Sequence, residues 1–518
     1  MKSFVARLLP SAPLVFPAIL SGVAVTLSFP RASAGLLSFV ALVPLFAAVA
    51  RVRPGRRDAF RAGFLFGMTC YLTMLWWIVK LIPSADVTIP WLMTPALIVL
   101  VLYLAVYPAF FLLVTGALAR HRAGAFAIMA PALWTLFEVA RNRGELAFPW
   151  GSLGYALSDY PVLAQSASGF GVPGLSFLIV TVNALVAGAF VVRGVRARAL
   201  YAVLALAVVA AMALHGRPAL RATAAAETAA PKLRVSVVQP NVDLAVKWKP
   251  EFKDSTLRLQ QRLAREAAAA GGELVIFPET AVPAYIDRDR SFKPGLTRLA
   301  HTLGVPIYIG FLDYRYDGPG DALNIYNSSG LFDRDGGLQR YDKTHLLPFG
   351  ESLPLATRLR WLRKIDFGQA NFQPGPARAP LDAGFARLTP LICFESVFPY
   401  LCARGVRQGA QIFVNITNDG WFGDTPGPYQ HAQMAILRAV EFRRPLVRSA
   451  NSGVSMVISP AGEVVAHLGL YQEGIITTDV PLMTTRTIYA RFGDWPLVGL
   501  SLVLVIGAAL GARRGEEH

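Results

Sequence analysis

Three hydrophobic segments of this sequence each stop just before a side chain that could take part in acyl transfer. These side chains are the carboxylate of Glu279, the ammonium of Lys343 and the thiol of Cys393. Strand ends are where α/β folds place binding and catalytic groups. There the carboxylate could accept the thiol proton, the thiolate could attack a carbonyl, and the ammonium could stabilise the oxyanion. Lys343 should also lower the pKa of the Cys393 thiol.

Each of these three side chains also has an ordinary structural explanation. A cysteine that ends an apolar strand is often a small buried hydrophobic residue. Glu279 could cap the helix that follows it, and Lys343 lies in a polar stretch where a lysine is usually solvated. His345 and His431 could suggest a Cys–His enzyme, but Glu279 and Lys343 are expected to take those roles. These residues alone indicate an α/β domain that could be a cysteine enzyme.

The composition indicates that the chain has a large membrane-embedded part. Of its 518 residues, 54% are hydrophobic and 16% are charged, and the mean hydropathy is +0.44. Soluble domains have about 25% charged residues, so this composition excludes a disordered protein and argues against a wholly soluble one. The three cysteines are too few for a disulfide framework, and their spacing fits no zinc or iron–sulfur site. We therefore expect no metal and no cofactor.

Eight apolar stretches are candidates for membrane-spanning helices. Most approach or exceed the ~17–25 residues that a helix needs to cross a bilayer. Because further stretches follow the first one at once, we expect it to be a retained anchor and not a cleaved signal peptide. The stretches are Leu14–Phe29, Ala32–Ala50, Ala62–Ile78, Trp91–Leu118, Gly124–Ala140, Val172–Val192, Ala199–Leu214 and Trp495–Leu510.

The distribution of basic residues predicts the orientation of these helices. The net charge of +17 could suggest nucleic-acid binding, but much of it lies in short loops between the apolar stretches. With a cytoplasmic N-terminus, the inner loops hold more than twice as many Lys and Arg residues as the short outer loops, as the positive-inside rule requires. We therefore expect seven helices in residues 1–215, a linker in 216–231, an extracytoplasmic domain in 232–485, and a last helix and cytoplasmic tail in 486–518.

The insert has the pattern of an α/β domain. Short β-branched stretches such as Leu233–Val238 and Ile412–Asn415 alternate with helical ones such as Phe252–Ala269. This alternation over about 250 residues is typical of one domain of ordinary size. The segment Leu353–Ile365 is basic and amphipathic and contains Trp361. It could lie at the membrane surface, or it could be a surface helix that packs its leucines on the domain.

Several local sequences resemble known families. Phe277–Thr280, Tyr341–Glu351 and Leu391–Ser396 resemble, in order, the three motifs of the nitrilase superfamily. That resemblance implies a Glu–Lys–Cys triad on an αββα sandwich. A longer resemblance, covering nearly the whole chain, is to the apolipoprotein N-acyltransferases. It is carried by Gln239–Asn241 with Trp248, Asn415–Gly423, Gly427–Met434, Arg438–Glu441 and Phe148–Gly151.

The resemblance also assigns roles to individual residues. Glu279 matches the general base, Lys343 the oxyanion-stabilising lysine and Cys393 the nucleophile. Three further acidic residues match positions that support the triad: Glu351, Glu395 and Glu441. Trp248 and Trp421 match aromatic residues near a lipid-facing entrance. Phe394 is expected to contact substrate, and it stands where some relatives have a tyrosine, which casts doubt on a hydrogen-bonding role at that position.

The activity implied by the resemblance uses two membrane substrates. The enzyme would take an acyl chain from a phospholipid, with phosphatidylethanolamine the expected donor, and hold it as a thioester on Cys393. It would pass the chain to the N-terminal amine of S-diacylglyceryl-cysteine in an apolipoprotein. The implied location is the bacterial inner membrane, with the catalytic domain on the periplasmic side and both termini cytoplasmic. We expect a monomer that binds no nucleic acid.

Two other functions fit parts of the sequence. A membrane-anchored amidase or nitrilase of the same superfamily would transfer the acyl group to water and would need a small, water-accessible pocket. A non-catalytic transporter or binding protein would keep its function after the substitution Cys393→Ala. The second alternative does not explain why all three motifs are present.

Overall fold

The computed structural model describes residues 9–81, 93–118, 123–287, 291–316, 323–355, 359 and 371–514. The chain divides into two compact units. The first comprises Met1–Lys80, Trp91–Arg221 and Phe492–His518, and the second comprises Leu81–Pro90 and Ala222–Arg491. Most of the basic amphipathic segment, namely 356–358 and 360–365, lies outside the described residues, so its proposed membrane contact stays a prediction.

The first unit is helical. Each of the eight apolar stretches contains a helix, but in the described residues five helical segments are long and apolar enough to cross a membrane, and two more are apolar but shorter. The unit therefore fits a membrane-bound protein, and the number of spans stays a prediction. Its main helices are α1 (Ala12–Leu27), α2 (Val43–Val52), α3 (Arg56–Leu75), α4 (Met93–Leu118), α5 (Ala123–Arg141), α6 (Ala167–Val191), α7 (Val195–Ala229) and α12 (Trp495–Arg514).

Small residues let the helices of this unit approach closely. A Cβ atom at Gly63 of α3 would lie 2.2 Å from the carbonyl oxygen of Pro108 in α4, and one at Gly67 would lie 2.8 Å from the Cα of Ala105. Such contacts between small residues are a main source of helix association in membranes. The side chain of Asn183 in α6 adds a buried hydrogen bond, since it donates to the carbonyl oxygen of Ser38 at 2.8 Å.

The segment expected to be a linker, 216–231, is mostly helical. Helix α7 continues through it to Ala229 and is 35 residues long. The run of alanines explains this, because alanine has the highest helix propensity, and Pro218 does not end the helix. The two compact units meet in sequence between Arg221 and Ala222, inside this helix. The domain boundaries given above stay a prediction.

The second unit contains two β-sheets. Their strands are β1 (Lys232–Gln239), β2 (Leu274–Ile276), β3 (Val282–Tyr285), β4 (Ile307–Tyr316), β5 (Leu323–Phe332), β6 (Leu338–Asp342), β7 (Leu381–Asp382), β8 (Arg387–Ile392), β9 (Ile412–Thr417), β10 (Leu446–Ala450), β11 (Ser455–Ile458), β12 (Val464–Leu468) and β13 (Gly474–Pro481). The first sheet has the order β13-β1-β2-β4-β5-β6, with β3 beside β4, and the second sheet has the order β12-β11-β10-β9-β8-β7.

The two sheets pack face to face with helices outside them. Buried apolar residues from both sheets, among them Val237, Ile276 and Leu388, form one core between the sheets. A second core lies between the first sheet and the helices α8 (Lys253–Ala269) and α9 (Phe292–Leu303). Helices α10 (Pro399–Arg407) and α11 (Pro426–Phe442) contact the second sheet. This arrangement is the predicted αββα sandwich.

Strand direction brings the candidate residues to common sheet edges. In the first sheet β2 is parallel to β4, and β6 is parallel to β4 as well because β5 is antiparallel to both. In the second sheet β8, β9 and β10 are parallel. The carboxyl ends of β2 and β6 thus leave one edge and those of β8 and β9 leave another, and these ends carry Glu279, Lys343, Cys393 and Asp419.

Candidate active site

The thiol residue Cys393 lies at a sharp turn after β8. It begins a 3₁₀ turn, Cys393–Val397, and its backbone is left-handed, with φ of +50°. Its carbonyl oxygen accepts hydrogen bonds from Ser396 Oγ at 3.0 Å and from Asn415 Nδ2 at 3.4 Å, and it lies 3.2 Å from His431 Nε2. These contacts hold the turn in a conformation that a residue with a side chain rarely adopts.

Glu279 lies on a second such turn, after β2. Its side chain is buried, and its Oε1 accepts a hydrogen bond from Asn327 Nδ2 at 2.7 Å. The next residue, Thr280, is also left-handed, with φ of +46°. Gly310 of β4 makes room for this turn, because a Cβ atom there would lie 2.6 Å from the backbone nitrogen of Thr280.

Lys343 is buried between two carboxylates. Its Nζ lies 2.8 Å from Oε2 of Glu351 and 3.9 Å from Oε1 of Glu279. Asn327 ties the group together, because the same amide that donates to Glu279 also donates to Glu351 at 3.0 Å. Burial by itself lowers the pKa of Lys343, but Glu351, together with the charges of Cys393 and Glu279, raises it above its ordinary value. Lys343 is therefore a permanent ammonium.

Burial and the Glu279 carboxylate favour the neutral form of the Cys393 thiol. Burial raises the pKa of Cys393 well above its usual range, the Glu279 carboxylate raises it further, and Lys343 only partly opposes them. Lys343 does lower this pKa, as expected, but burial and Glu279 outweigh the ammonium, so the net shift is upward. Burial also raises the pKa of Glu279, with Lys343 opposing it. A thiol of this kind reacts only when a base removes its proton as it attacks.

Glu395 connects the Cys393 turn to the segment that carries Lys343. Its Oε1 accepts hydrogen bonds from the Tyr341 hydroxyl at 2.8 Å and from the backbone nitrogen of Thr344 at 2.7 Å. Its Oε2 accepts one from the backbone nitrogen of Ile392 at 2.8 Å, just before Cys393. The supporting role of Glu395 in catalysis stays a prediction.

Glu441 is linked to the Cys393 turn through another side chain. It is buried in α11 and pairs with Arg438 at 3.0 Å, and Arg438 donates to the carbonyl oxygen of Val397 at 3.2 Å. Val397 is the last residue of the Cys393 turn. Glu441 therefore reaches that turn through Arg438, while Glu351 contacts Lys343 directly.

A polar cluster beside Cys393 was not predicted from the sequence. Asp419 Oδ1 lies 2.9 Å from His431 Nδ1, and Asp419 Oδ2 accepts a hydrogen bond from Arg448 at 2.5 Å. From the sequence, His431 stands out as a candidate for a Cys–His enzyme and as part of a motif that carries the family resemblance, and Asp419 only as part of such a motif. Burial raises the pKa of Asp419, but Arg448 and His431 outweigh it and hold that pKa below its usual range.

The side-chain atoms of Cys393, Asp419 and His431 that could bind a metal ion lie within 4.8 Å of one another, close enough to share one ion. The guanidinium of Arg448 contacts both Asp419 Oδ2 and, at 3.1 Å, His431 Nδ1. A dication bound to these atoms would meet this positive charge at short range, where like charges repel strongly. The three residues therefore do not fit a metal ion.

The three aromatic residues expected to contact substrate lie in different surroundings. Phe394 is buried, with ring centroids 5.0 Å from Phe398 and 6.0 Å from His345. Trp248 and Trp421 are half-buried. Trp248 lies beside Lys247, whose Nζ is 5.9 Å from the centre of the indole ring. Their contact with substrate stays a prediction.

The comparisons with known proteins match both units. Residues 234–490 match the family described as Carbon-nitrogen hydrolase, and residues 21–185 match the Apolipoprotein N-acyltransferase N-terminal domain. Proteins named apolipoprotein N-acyltransferase are similar over most of this chain. The one from Geobacter metallireducens is 37% identical, covering 97% of this chain and 96% of its own. The one from Rhodopseudomonas palustris is 35% identical, covering 88% and 87%.

Two solved structures are similar to part of the chain. An amidase from Nesterenkonia sp. is 21% identical with a TM-score of 0.37, covering 49% of this chain and 91% of its own. Nit3 of Saccharomyces cerevisiae, a member of the nitrilase superfamily, is 22% identical with a TM-score of 0.37, covering 48% and 90%.

Proposed function

The chain belongs to the apolipoprotein N-acyltransferase family, and from this membership we propose how it acylates the N-terminus of lipoproteins at a membrane. The proposal assigns the chemistry to Glu279, Lys343 and Cys393. It rests on one observation: Glu279 and Lys343 are buried at strand ends, with 3.9 Å between Oε1 of Glu279 and Nζ of Lys343. Both charges act on the pKa of the Cys393 thiol, which Glu279 raises and Lys343 lowers.

In the first half-reaction Glu279 removes the proton of Cys393 as the sulfur attacks the ester carbonyl of a phospholipid. A carbon–sulfur bond forms, and the ester oxygen leaves with the proton returned from Glu279. The products are a thioester on Cys393 and a lysophospholipid. The raised pKa of Glu279, caused mainly by burial, suits this role, because a more basic carboxylate holds the proton more readily between the thiol and the leaving oxygen.

In the second half-reaction the free amine of an apolipoprotein attacks the thioester. Glu279 takes a proton from the attacking nitrogen, the carbon–sulfur bond breaks, and the proton passes to the departing sulfur. The products are an amide and the free thiol. One site used twice through a covalent intermediate implies ping-pong kinetics.

Lys343 stabilises the oxyanion in both half-reactions. Its pKa lies above the ordinary value, so its ammonium is present at every pH at which the enzyme would work. Glu351 holds it in place with contacts of 2.8 and 2.9 Å to the two carboxylate oxygens. A fixed charge aimed at a developing oxyanion is typically the largest single contribution to such catalysis.

We extend the proposal to substrates and location. The donor is phosphatidylethanolamine, the acceptor is an S-diacylglyceryl-cysteinyl apolipoprotein, and Trp248, Trp421 and Phe394 contact the lipid. The protein is a monomer in the bacterial inner membrane, with residues 232–485 periplasmic and both termini cytoplasmic. Half-buried tryptophans support a lipid contact, because their rings prefer the boundary between apolar and polar surroundings.

Intact-protein mass spectrometry tests this proposal. After incubation with phosphatidylethanolamine, the wild type should gain one fatty-acyl mass that hydroxylamine removes and a diacylglyceryl-cysteinyl peptide discharges. Cys393→Ala should gain none, and Glu279→Gln should acylate at least about a hundredfold more slowly. The matched control Cys402→Ala, at a second buried thiol, should behave as the wild type. A wild type that hydrolyses small amides but forms no lipid adduct would support the amidase alternative instead.

A further inference from the structure

Lys247 is a buried lysine that the proposed reaction does not use. It ends the one-turn helix Leu244–Lys247, which is capped by the side chain of Asp243, and only 2% of the residue is exposed. A lysine is almost never buried to this degree without a charged partner. In the described residues, however, the hydrogen-bond partners of its Nζ are the Thr280 hydroxyl and the Glu279 carbonyl oxygen, neither of which is charged. Its burial therefore needs an explanation other than an ion pair.

The ammonium of Lys247 lies against the turn that carries Glu279. Nζ donates a hydrogen bond to Thr280 Oγ1 at 2.8 Å and contacts the carbonyl oxygen of Glu279 at 3.4 Å. Thr280 is the left-handed residue of that turn. Lys247 thus contacts this turn at two points, the carbonyl oxygen of Glu279 and the side chain of Thr280.

The charges that face Glu279 do not balance without Lys247. Its side chain faces Lys343 from the end of β6, Glu351 from the loop beyond it, the neutral amide of Asn327 from β5, and the Cys393 thiol. Two carboxylates and one ammonium leave one negative charge uncompensated. Because Lys343 is already paired with Glu351, it cannot fully offset the charge of Glu279.

We propose that Lys247 is the second ammonium of the active site: it supplies the missing positive charge and fixes the Glu279 turn, so that Glu279 is ionised and able to accept the thiol proton. Lys247 is a positioning residue, since it contacts Glu279 and not the reacting atoms. The inference rests on the proposed role of Glu279 as general base. Burial lowers the pKa of Lys247 to about 7, with Glu279 opposing this, so its charge is present below neutral pH.

The proposal predicts a change in the pH profile of Cys393 acylation. Without Lys247, the Glu279 carboxylate should hold its proton to higher pH, and the acidic limb of the profile should move up by about one pH unit. The rate near pH 6 should then fall about tenfold. Above about pH 8 the profiles should converge to within about threefold, because Lys247 is then neutral in the wild type as well.

The experiment measures single-turnover acylation of the full-length protein in mixed micelles of detergent and phosphatidylethanolamine, from about pH 5 to pH 9. Lys247→Gln keeps a hydrogen-bond donor and removes the charge. Lys247→Met also removes the charge, and it guards against misfolding because methionine tolerates burial well. Thr280→Val removes the hydroxyl acceptor but keeps the ammonium, so its acidic limb should not move. Lys249→Gln, at an exposed lysine of the same segment, should match the wild type.

The outcomes separate this inference from the proposed function. The inference is supported if the acidic limb of the pH profile shifts in both Lys247 variants and stays in place in Thr280→Val. A rate lowered equally at all pH values, with the limb in place, means that Lys247 is only structural and overturns it. If the wild type itself forms no thioester, or if Glu279→Gln acylates at the normal rate, the proposed function fails instead.

Discussion

At Cys393 and Thr280 the chain adopts a left-handed backbone that costs about 1–2 kcal/mol for a residue with a side chain. Both turns are secured by buried donors: Ser396, Asn415 and His431 lie at the carbonyl oxygen of Cys393, and Lys247 lies beside Thr280. Strain of this kind persists only where the surroundings hold it. The backbone at Cys393 and at Thr280 is therefore held by contacts within the protein itself.

The cluster behind Cys393 should matter for stability at the residue scale. Asp419→Asn removes a fully buried charge and leaves the guanidinium of Arg448 without its carboxylate. Removing one partner of a buried pair costs about 3–5 kcal/mol, which should lower the melting temperature of the purified protein by at least about 6 °C. Asp335→Asn, in an exposed turn, should leave it unchanged. Equal melting temperatures for both variants would contradict a stabilising role for this pair.

The same pair should make stability depend on pH. The pKa of Asp419 lies below its usual range, chiefly because Arg448 outweighs the effect of burial. A carboxyl group whose pKa is lower in the folded state contributes stability above its unfolded pKa, about 4, and loses it as the pH falls. Acid should therefore lower the melting temperature of the wild type more steeply than that of Asp419→Asn when both are scanned downward from pH 5.

At the scale of secondary-structure elements, the contact between β4 and the Glu279 turn should be sensitive to volume. A methyl group at position 310 would lie 2.6 Å from the backbone nitrogen of Thr280 and 2.7 Å from the Cα of Glu279, so Gly310→Ala must displace the turn. A displacement of about 1 Å can cost about a hundredfold in rate. We expect a loss of that size in thioester formation. Gly295→Ala in α9, where nothing lies within 4 Å, is the matched control; equal rates in the two variants would show that the turn tolerates movement.

The strands that the sequence predicts are those whose buried side chains are apolar. β1, β2, β8 and β9 are short and rich in Val, Ile and Leu, and their positions follow from the sequence. Of β5, only the end near Gly330–Phe332 could be recognised from the sequence, because the middle of the strand is polar. In that middle part Ser328 donates a hydrogen bond to Asp342 at 2.8 Å, and Ser329 forms one with the Tyr308 hydroxyl at 2.7 Å, so hydrogen bonds replace apolar contacts. Such long-range pairs leave no periodicity in a sequence.

The candidate site was predictable where one residue carries a distinct chemical group. Glu279, Lys343 and Cys393 stand out by type and by position after strands, and the structure brings the first two together. Lys247 did not stand out, because a lysine after an apolar stretch is normally solvated. Its burial depends on a contact with Thr280 across 33 residues of sequence. The charge of Lys247 therefore acquires a role only once the fold is known.

At the scale of the whole molecule, attachment to the membrane is part of the proposed chemistry. In the proposed reaction a lipid donor and a lipid-modified acceptor both lie in the bilayer, and the helices that flank the catalytic unit in sequence would tether it to the same bilayer. Confinement of this kind removes much of the translational entropy that an encounter in solution would cost. The same argument requires the catalytic unit to be on the side of the membrane where apolipoproteins present their amines.

Orientation can be tested with single cysteines in intact bacterial spheroplasts. The excess of Lys and Arg in alternate loops predicts that Arg57 lies inside and the catalytic unit outside. In a Cys393→Ala background the remaining cysteines, Cys70 and Cys402, are buried, so an impermeant maleimide should report only the introduced thiol. Asp335→Cys, in the exposed turn between β5 and β6, should label before lysis, and Arg57→Cys should label only afterwards. The reverse pattern would place the catalytic unit in the cytoplasm, out of reach of an extracytoplasmic acceptor, and would require a different substrate for the same thiol chemistry.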